Sequence, residues 1–418
     1  MKRRLLPILM TLVLVCALPI WAAFVTSGDV TNPLVCTAGA AELTLQAKID
    51  AAADNATITL DSDTTITETL VITGKTLTLD LNGHVLKMTG TGSVLKVHNG
   101  ATLTIQDSRP QNPHTGSYAG LPAGGVITGG DAVDGGGVYV DDYAVLKMTG
   151  GCITGCHASR GGGGIYSSGD LYMGGTAKIE KCTGSNDAIW NNGGTIYADG
   201  GTVDGTVNNQ GTITRGEGAV DVTVFKGAVY NQLKGTIAVG TYNGTVENTG
   251  SIIGGTFYGA VTNRKASLGF MTEFGTISGG TFYGPIVNEA GPEQVTGGTF
   301  AVRFDTGDGT KTEPTLVEWN GKVSRPTSDP EKSGHTFVGW YLGDALYDFN
   351  TPVNAPLTLT ARWEEVPSSG GYYYYQPTTD TKTTDTKGSP KTADPGVALY
   401  AALSLLSLTG LTCTAKKR

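Results

Sequence analysis

Residues Gly254–Asn263 read GGTFYGAVTN, and Gly279–Asn288 read GGTFYGPIVN. The chain writes nearly the same ten residues twice, 25 positions apart. The unit is either a site used twice or a structural brick used twice, and the rest of the sequence has to decide. An apolar residue two places before an asparagine recurs as Ile189/Asn191, Val207/Asn209, Val229/Asn231, Val246/Asn248, Val261/Asn263 and Ile286/Asn288, at spacings of 18, 22, 17, 15 and 25 residues. Gly-Thr pairs keep the same beat, starting at 194, 201, 211, 235, 240, 255, 275, 280 and 298.

The beat continues upstream in altered form. GGGVYV at 135–140 answers GGGIYS at 162–167, and LKMTGGCITGC at 146–156 answers LYMGGTAKIEKC at 171–182. Units of this length, rich in Thr, Val, Ile and Gly, predict a stacked solenoid. Their short alternating, β-branched fragments read as strands with one face in and one face out. Glycines between the fragments supply the corners at which a coil turns. A leucine ladder is absent, and helical repeats do not carry a glycine every few residues. The expected fold is therefore all-β, a parallel β-helix whose coils rise by about 4.8 Å each.

Stacking in register would place Asn191, Asn209, Asn231, Asn248, Asn263 and Asn288 above one another, each side-chain amide bonding the next. A row of sugar-binding amides is the functional alternative, but the interval follows the coil rather than a ligand. In the motif itself, only one of Phe257 and Tyr258 can face in, and the same choice recurs at Phe282 and Tyr283. The outward ring is the one part of the brick that could also be a site.

Leu43–Ala53 has the apolar spacing of a short amphipathic helix. Strands are expected at Thr57–Leu60, Leu70–Ile72, Leu77–Leu81, Val94–Val97 and Leu103–Ile105. A helix placed ahead of a β-helix plugs its open end and protects the first coil from edge pairing. Residues 40–300 resemble the pectate-lyase-like right-handed β-helix superfamily, and the GGGVYV…MTGG…ITG pattern is similar to its adhesin-type members on bacterial surfaces. That resemblance implies architecture and leaves activity open.

Polysaccharide-active β-helices would carry clustered acids on one outer face. Asp131, Asp134, Asp141 and Asp142 surround a glycine-rich turn and are the candidate calcium ligands; solvated turn acids are the plainer reading. Asp80, Asp107, Asp204 and Asp221 stand apart, with alternation turning Asp80 outward, and Arg160, Arg215 and Arg264 lie scattered in turns. No acid recurs at coil period beside a second acid and an arginine, so no catalytic residue is assigned and a non-enzyme is expected. The five histidines show no paired metal spacing, and CITGCH lacks a fourth zinc ligand. Cys156 and Cys182 fall one coil apart, within disulfide reach, although small thiols fill coil interiors equally well.

From Ala301 the glycine beat stops. Val302–Glu364 resembles the internalin-type B repeat (the Listeria-Bacteroides repeat). The landmarks are Val302-Arg303-Phe304, Gly321-Lys322-Val323, Pro326, Pro330, Gly334, Phe337-Val338-Gly339-Trp340-Tyr341, Tyr347–Val353 and Leu357–Trp363. The resemblance implies a spacer or contact module over 301–365, and the alternating strands with aromatics on one face predict a small β-grasp-like core. Trp340 and Trp363 are expected in that core, with glycan contact as the alternative.

The ends carry addresses. MKRRLLPILMTLVLVCALPIWAA is a basic start followed by an apolar run, the pattern of a secretory signal peptide over 1–27. Residues 366–388 are Pro-, Ser-, Thr- and Lys-rich and read as an extended stalk, with four adjacent tyrosines at 372–375. At the far end an apolar run over 397–415, 19 residues long, precedes Lys416, Lys417 and Arg418. It is long enough to cross a bilayer core of roughly 30 Å. With the pentapeptide Ser389-Pro390-Lys391-Thr392-Ala393, residues 389–418 resemble the LPXTG/NPKTG-like sorting signals of Gram-positive cell-wall proteins. The pentapeptide departs from the common form at its first residue and has Ala for Gly at its last. The resemblance implies a sortase whose thiolate attacks the Thr392 carbonyl and passes the chain to peptidoglycan.

Composition narrows the partners. Glycine makes up 62 of 418 residues, only 16% are charged, and the formal net charge is −8. That glycine content does not suit helical domains, and no basic face is available for nucleic acid. The expectation is a wall-attached, extracellular, non-catalytic adhesin for a host or neighbouring-cell glycan or protein, requiring no cofactor. A wall-anchored polysaccharide lyase or hydrolase is the rival reading, and a pure surface spacer is the third.

Overall fold

The computed structural model describes residues 43–185, 188–268, 271–310 and 312–367. The 1–27 signal, residues 368–388 of the stalk and the 389–418 sorting signal, with Ser389, Pro390, Lys391, Thr392 and Ala393, lie outside the described residues.

The body is a parallel β-helix built from three rows of short strands. One row stacks ten strands from Leu70–Thr73 to Ile286–Asn288, all parallel. The other two rows run from Ala56–Thr59 to Thr276–Ile277 and from Thr64–Ile66 to Thr281–Phe282. The long bent strands Asp170–Glu180 and Thr195–Asp204 join these two into a single sheet. Each coil therefore visits three walls in turn and returns one rung higher. The strands expected near residues 57, 70, 77, 94 and 103 are present at Ala56–Thr59, Leu70–Thr73, Thr76–Asp80, Leu95–His98 and Thr102–Gln106.

Register explains the recurring letters. Val246 pairs with Val261 and Val261 with Ile286, while Asn248 pairs with Asn263 and Asn263 with Asn288. The inward side chains thus meet their own kind one coil away, while outward positions such as Glu247, Thr262 and Val287 vary. Most valines, isoleucines and leucines of the strands point inward and form a buried core from Ile49 onward. Phe225, Tyr242, Phe257 and Phe282 stack inside, with centroids 4.9, 4.8 and 4.7 Å apart. This spacing is that of the strands themselves.

The corners accept only glycine. A Cβ on Gly259 would sit 2.0 Å from the Gly244 carbonyl oxygen, and one on Gly279 would sit 2.2 Å from that of Ile253. Gly255 and Gly280 also adopt φ of +99° and +104°, which L side chains rarely occupy. The repeated Gly-Gly is therefore dictated by stacking.

Both ends of the solenoid are closed. At the start, helix Leu45–Ala51 is capped by Thr44, whose hydroxyl accepts from Ala47 N. The Gln46 amide accepts from Val71 N at 2.8 Å and donates to Val71 O at 3.1 Å, imitating a neighbouring strand on the first rung. Lys75 Nζ donates to the carbonyls of Ile49, Asp50 and Ala52 at the helix C-terminus, where the helix dipole favours a cation.

At the other end one strand serves two structures. Thr299 and Phe300 pair with Thr281 and Phe282 of the last coil, and Val302–Asp305 of the same strand, Thr299–Asp305, pair with Leu357–Thr360. The repeat module adds the strands Thr315–Glu318, His335–Leu342 and Leu357–Glu365. Val317, Val323, Val353, Trp340 and Leu359 belong to the same hydrophobic cluster as the coils. The module closes the solenoid and continues its core.

Asp80 differs from its expected place in the open. It is only 6% exposed, under the excursion that leaves the wall after Gln106 and returns at Val126. Its carboxylate accepts from Asn82 N and Ser108 N and from the Gln106 amide. Burial pushes its pKa up, but these hydrogen bonds outweigh burial and hold it below the ordinary aspartate value. Asp107 performs the companion task, accepting from Gly83 N at 2.7 Å and Gly125 N at 2.6 Å. Both acids tie down a loop and are spent on structure.

Candidate functional site

The inward choice in the brick falls on phenylalanine. Phe257 and Phe282 are fully buried, while Tyr258 is 53% exposed and stacks on Tyr283 at 4.7 Å on the outer wall. The reason is register: Phe257 is the only ring in its coil that meets Tyr242 and Phe282 inside.

Larger aromatic groups lie upstream. In the row containing Val138–Val140, Ile165–Ser167 and Ile189–Asn191, alternation puts the middle residue of each strand on the outer side of the wall; Tyr139 and Trp190 are half-buried there, and Tyr166 between them is buried, 7% exposed. Lys96 precedes them in register, with Nζ 5.1 Å from the centroid of Tyr139. Tyr139 stacks on Tyr166 at 5.0 Å, and Trp190 meets Tyr166 edge to face, 80° to its plane, at 5.5 Å.

Gly161 decides how Trp190 lies. A Cβ at Gly161 would collide with the indole at Cε3 and Cζ3. The indole therefore rests on the bare backbone, turned out of the plane in which the tyrosines stack. Around it, Asn192 Nδ2 donates to Tyr166 Oη at 2.7 Å and to Ser168 Oγ at 3.4 Å. On the adjacent wall Tyr172 stacks on Tyr197 at 4.0 Å under Lys147. Burial and then the hydrogen bond with Tyr197 push the Tyr172 phenol up to about 12. Of these three rings only Trp190 lies in an apolar-x-Asn unit; Tyr139 and Tyr166 lie in Val-Tyr-Val and Ile-Tyr-Ser, where Val140 and Ser167 stand in the asparagine position. The GGGVYV and GGGIYS stretches carry the signal for the two tyrosines, since their Tyr139 and Tyr166 hold equivalent places.

The acids near this wall do not assemble into a metal site. Asp134 is almost wholly buried and forms an ion pair with Arg160, through Nε at 2.9 Å and a shorter contact from Nη2. Asp131 pairs its backbone with Gly92 and is exposed, and Asp141 accepts from its neighbour Asp142 N. Strand alternation sends Asp131 and Asp134 to different environments, so the four acids share no centre. Among the described residues no group of three or more His, Cys, Asp or Glu could hold a metal ion.

Cys156 and Cys182 stack one coil apart, but as buried thiols rather than as a disulfide. Cys156 Sγ donates to the Thr154 carbonyl, and Cys182 Sγ donates to the carbonyls of Ile153 and Glu180. A hydrogen bond between the two thiols and their burial push the Cys156 pKa well up. These groups fill the coil and are not poised as nucleophiles.

The six asparagines form a chain, buried from Asn191 to Asn263 and half-buried at Asn288. Each Nδ2 donates to the next Oδ1, from Asn191 through Asn209, Asn231, Asn248 and Asn263 to Asn288, at 2.8, 2.8, 2.7, 2.8 and 3.0 Å. The second amide proton closes the turn of the same coil, as in Asn263 to Gly275 O at 2.8 Å. In the repeat module Trp340 is buried, and Trp363 Nε1 donates to Thr306 O.

Fold and wall together define a class, a parallel β-helix repeat protein with aromatic stacks on its outer face and a small β module at its end. Within it, residues 300–362 match the Listeria-Bacteroides repeat domain (List_Bact_rpt). Two proteins of Evansella cellulosilytica whose names class them as membrane proteins, one of them Gly-rich, are 35% and 33% identical to this chain over 69 residues. The match covers 16% of this chain and 8% and 10% of those proteins, so the chain spans about a tenth of the relatives' length. No solved structure matches the chain. Among the described residues no helix is long and apolar enough to cross a membrane, and the 397–415 segment lies outside them.

Proposed function

We propose that this protein is a non-catalytic adhesin, exported, attached to peptidoglycan by a sortase and displayed on a bacterial surface, where it binds a glycan of a host or neighbouring cell. The observation that carries the reading is the Tyr139–Tyr166–Trp190 cluster on the outer wall of the coils, where Tyr139 and Trp190 are partly exposed on either side of a buried Tyr166. Rings with an apolar body and a polar rim suit the C–H faces and hydroxyls of sugars. The flanking Asn192, Ser168 and Lys96 supply the hydrogen-bonding edge. The repeat match and the membrane-protein names of the relatives support a surface location.

The test is a glycan array probed with the full chain, with polysaccharide digests followed in parallel. The expected result is saturable binding with no new reducing ends and no unsaturated sugars. Trp190→Ala should weaken binding about tenfold, near the 1.4 kcal/mol that such a factor represents. Release of sugar fragments would overturn the adhesin reading in favour of a lyase or hydrolase. No hit on any array would leave the spacer.

A further inference from the structure

We propose that the open groove where the last coils meet the repeat module is a binding site for a neutral pyranose, separate from the aromatic wall. The proposal deepens the glycan-binding reading and rests on it for the class of partner. The groove has a volume of about 510 Å³, within the range of roughly 300–1,000 Å³ usual for small-ligand sites. Its floor is made by glycine corners of successive coils, Gly279–Gly280 and Gly297–Gly298, and its wall by Glu318 and Trp319.

The floor is bare by necessity. A Cβ on Gly279 or Gly297 would meet the carbonyl oxygen of Ile253 or Ser278 at 2.2 or 2.3 Å. Stacking therefore keeps side chains out of the corner, and a ligand can lie directly on peptide groups. The wall is fixed in advance. Trp319 N donates to Gly298 O at 2.8 Å, Glu318 pairs with Thr299 across the adjoining strands, and part of the indole packs against the shared core. Little ordering cost remains for binding.

The lining selects the ligand. It holds one indole, one exposed carboxylate and the hydroxyl residues Thr281 and Thr299, with no lysine or arginine. Anionic groups such as phosphates and uronates find no countercharge. A large apolar ligand finds only one ring. A neutral pyranose matches each element: its C–H face against Trp319, two hydroxyls donating to the Glu318 carboxylate, and the rest toward threonines and backbone. Open to solvent, the site would bind one sugar weakly, and many copies of the chain on one surface would supply the avidity.

The experiment titrates the full chain with methyl glucoside, galactoside, mannoside and N-acetylglucosaminide, followed by indole fluorescence and by saturation-transfer NMR. At least one pyranoside is expected to bind saturably, with Glu318→Gln and Trp319→Phe each lowering affinity fivefold or more and methyl glucuronide binding more weakly. Because Trp319 also packs in the core, Glu318→Gln keeps the test independent of folding. Failure of every pyranoside to bind, or binding indifferent to both substitutions, overturns the groove. If the two variants still bind the glycan array, the wall reading survives that failure. If pyranosides bind in a Glu318-dependent way while the array is blank, the wall reading falls and the groove stands.

Discussion

Asn231 Nδ2 reaches Asn248 Oδ1 at 2.7 Å in the next coil and Gly235 O at 3.1 Å in its own turn. One side chain thus closes a corner and ties two rungs together, in a place where both groups are shut off from water. Buried polar groups of this kind cost most when half the partnership is removed. Asn248→Ala strips Asn231 of its acceptor and Asn263 of its donor, and opens a void. The expected loss is roughly 2–4 kcal/mol of stability, read as a lowered urea midpoint. An unchanged midpoint would contradict the role assigned to the chain of amides.

The ladder stops at Asn191, whose Oδ1 is buried without a hydrogen-bond partner among the described residues. The residue above it in register is Ser167, whose hydroxyl donates to Gly169 O at 2.8 Å. Ser167→Asn would serve the same turn and also supply Asn191. It should stabilise the chain by about 1 kcal/mol. Ser167→Ala should destabilise it, and calorimetric Tm values for the pair would decide.

Gly259→Ala places a methyl group 2.0 Å from the Gly244 carbonyl, whereas Gly120 has nothing within 4 Å of a Cβ. The first substitution should give a chain cut rapidly by protease at its central coils. Gly120→Ala should resist as the parent does. Equal resistance in both would mean that the corners can spread.

Gln46 and Lys75 hold the N-terminal cap by hydrogen bonds to Val71 and to the helix carbonyls. Gln46→Leu leaves both polar groups of Val71 without that partner. A loss of about 1–3 kcal/mol is expected, together with faster amide exchange confined to the first coils. Exchange rising evenly along the chain would count against a local cap.

Asp80 gives a pH dependence with a defined sign. Its folded pKa lies below the ordinary 3.8. Its contribution is therefore complete above that value and is lost as pH falls through the folded pKa. Asp80→Asn should flatten the acid limb of the stability curve below about pH 4. It should also loosen the 107–125 loop, which limited proteolysis would detect.

Much of this architecture is legible in the letters because each coil repeats the same local problem. Glycine at the corners, a β-branched residue facing in and an asparagine closing the turn recur at coil period, and the period itself announces stacking. The first helix and the landmarks of the repeat module are equally local. Contacts between coils are not local. The choice of Phe257 over Tyr258 depends on Tyr242 and Phe282, rings 15 and 25 residues away. The burial of Asp80 depends on a loop that passes over it, and Asp134 is committed by Arg160 one coil later. The strand Thr299–Asp305 joins coil and module because its two ends find different partners. Trp319 beside bare glycine corners likewise exists only once the chain has stacked. The sequence by itself determined the brick, since steric and hydrogen-bonding demands repeat within each coil. Only the tertiary structure decided which outward rings and which junction form surfaces for a ligand, because those depend on neighbours brought together by register.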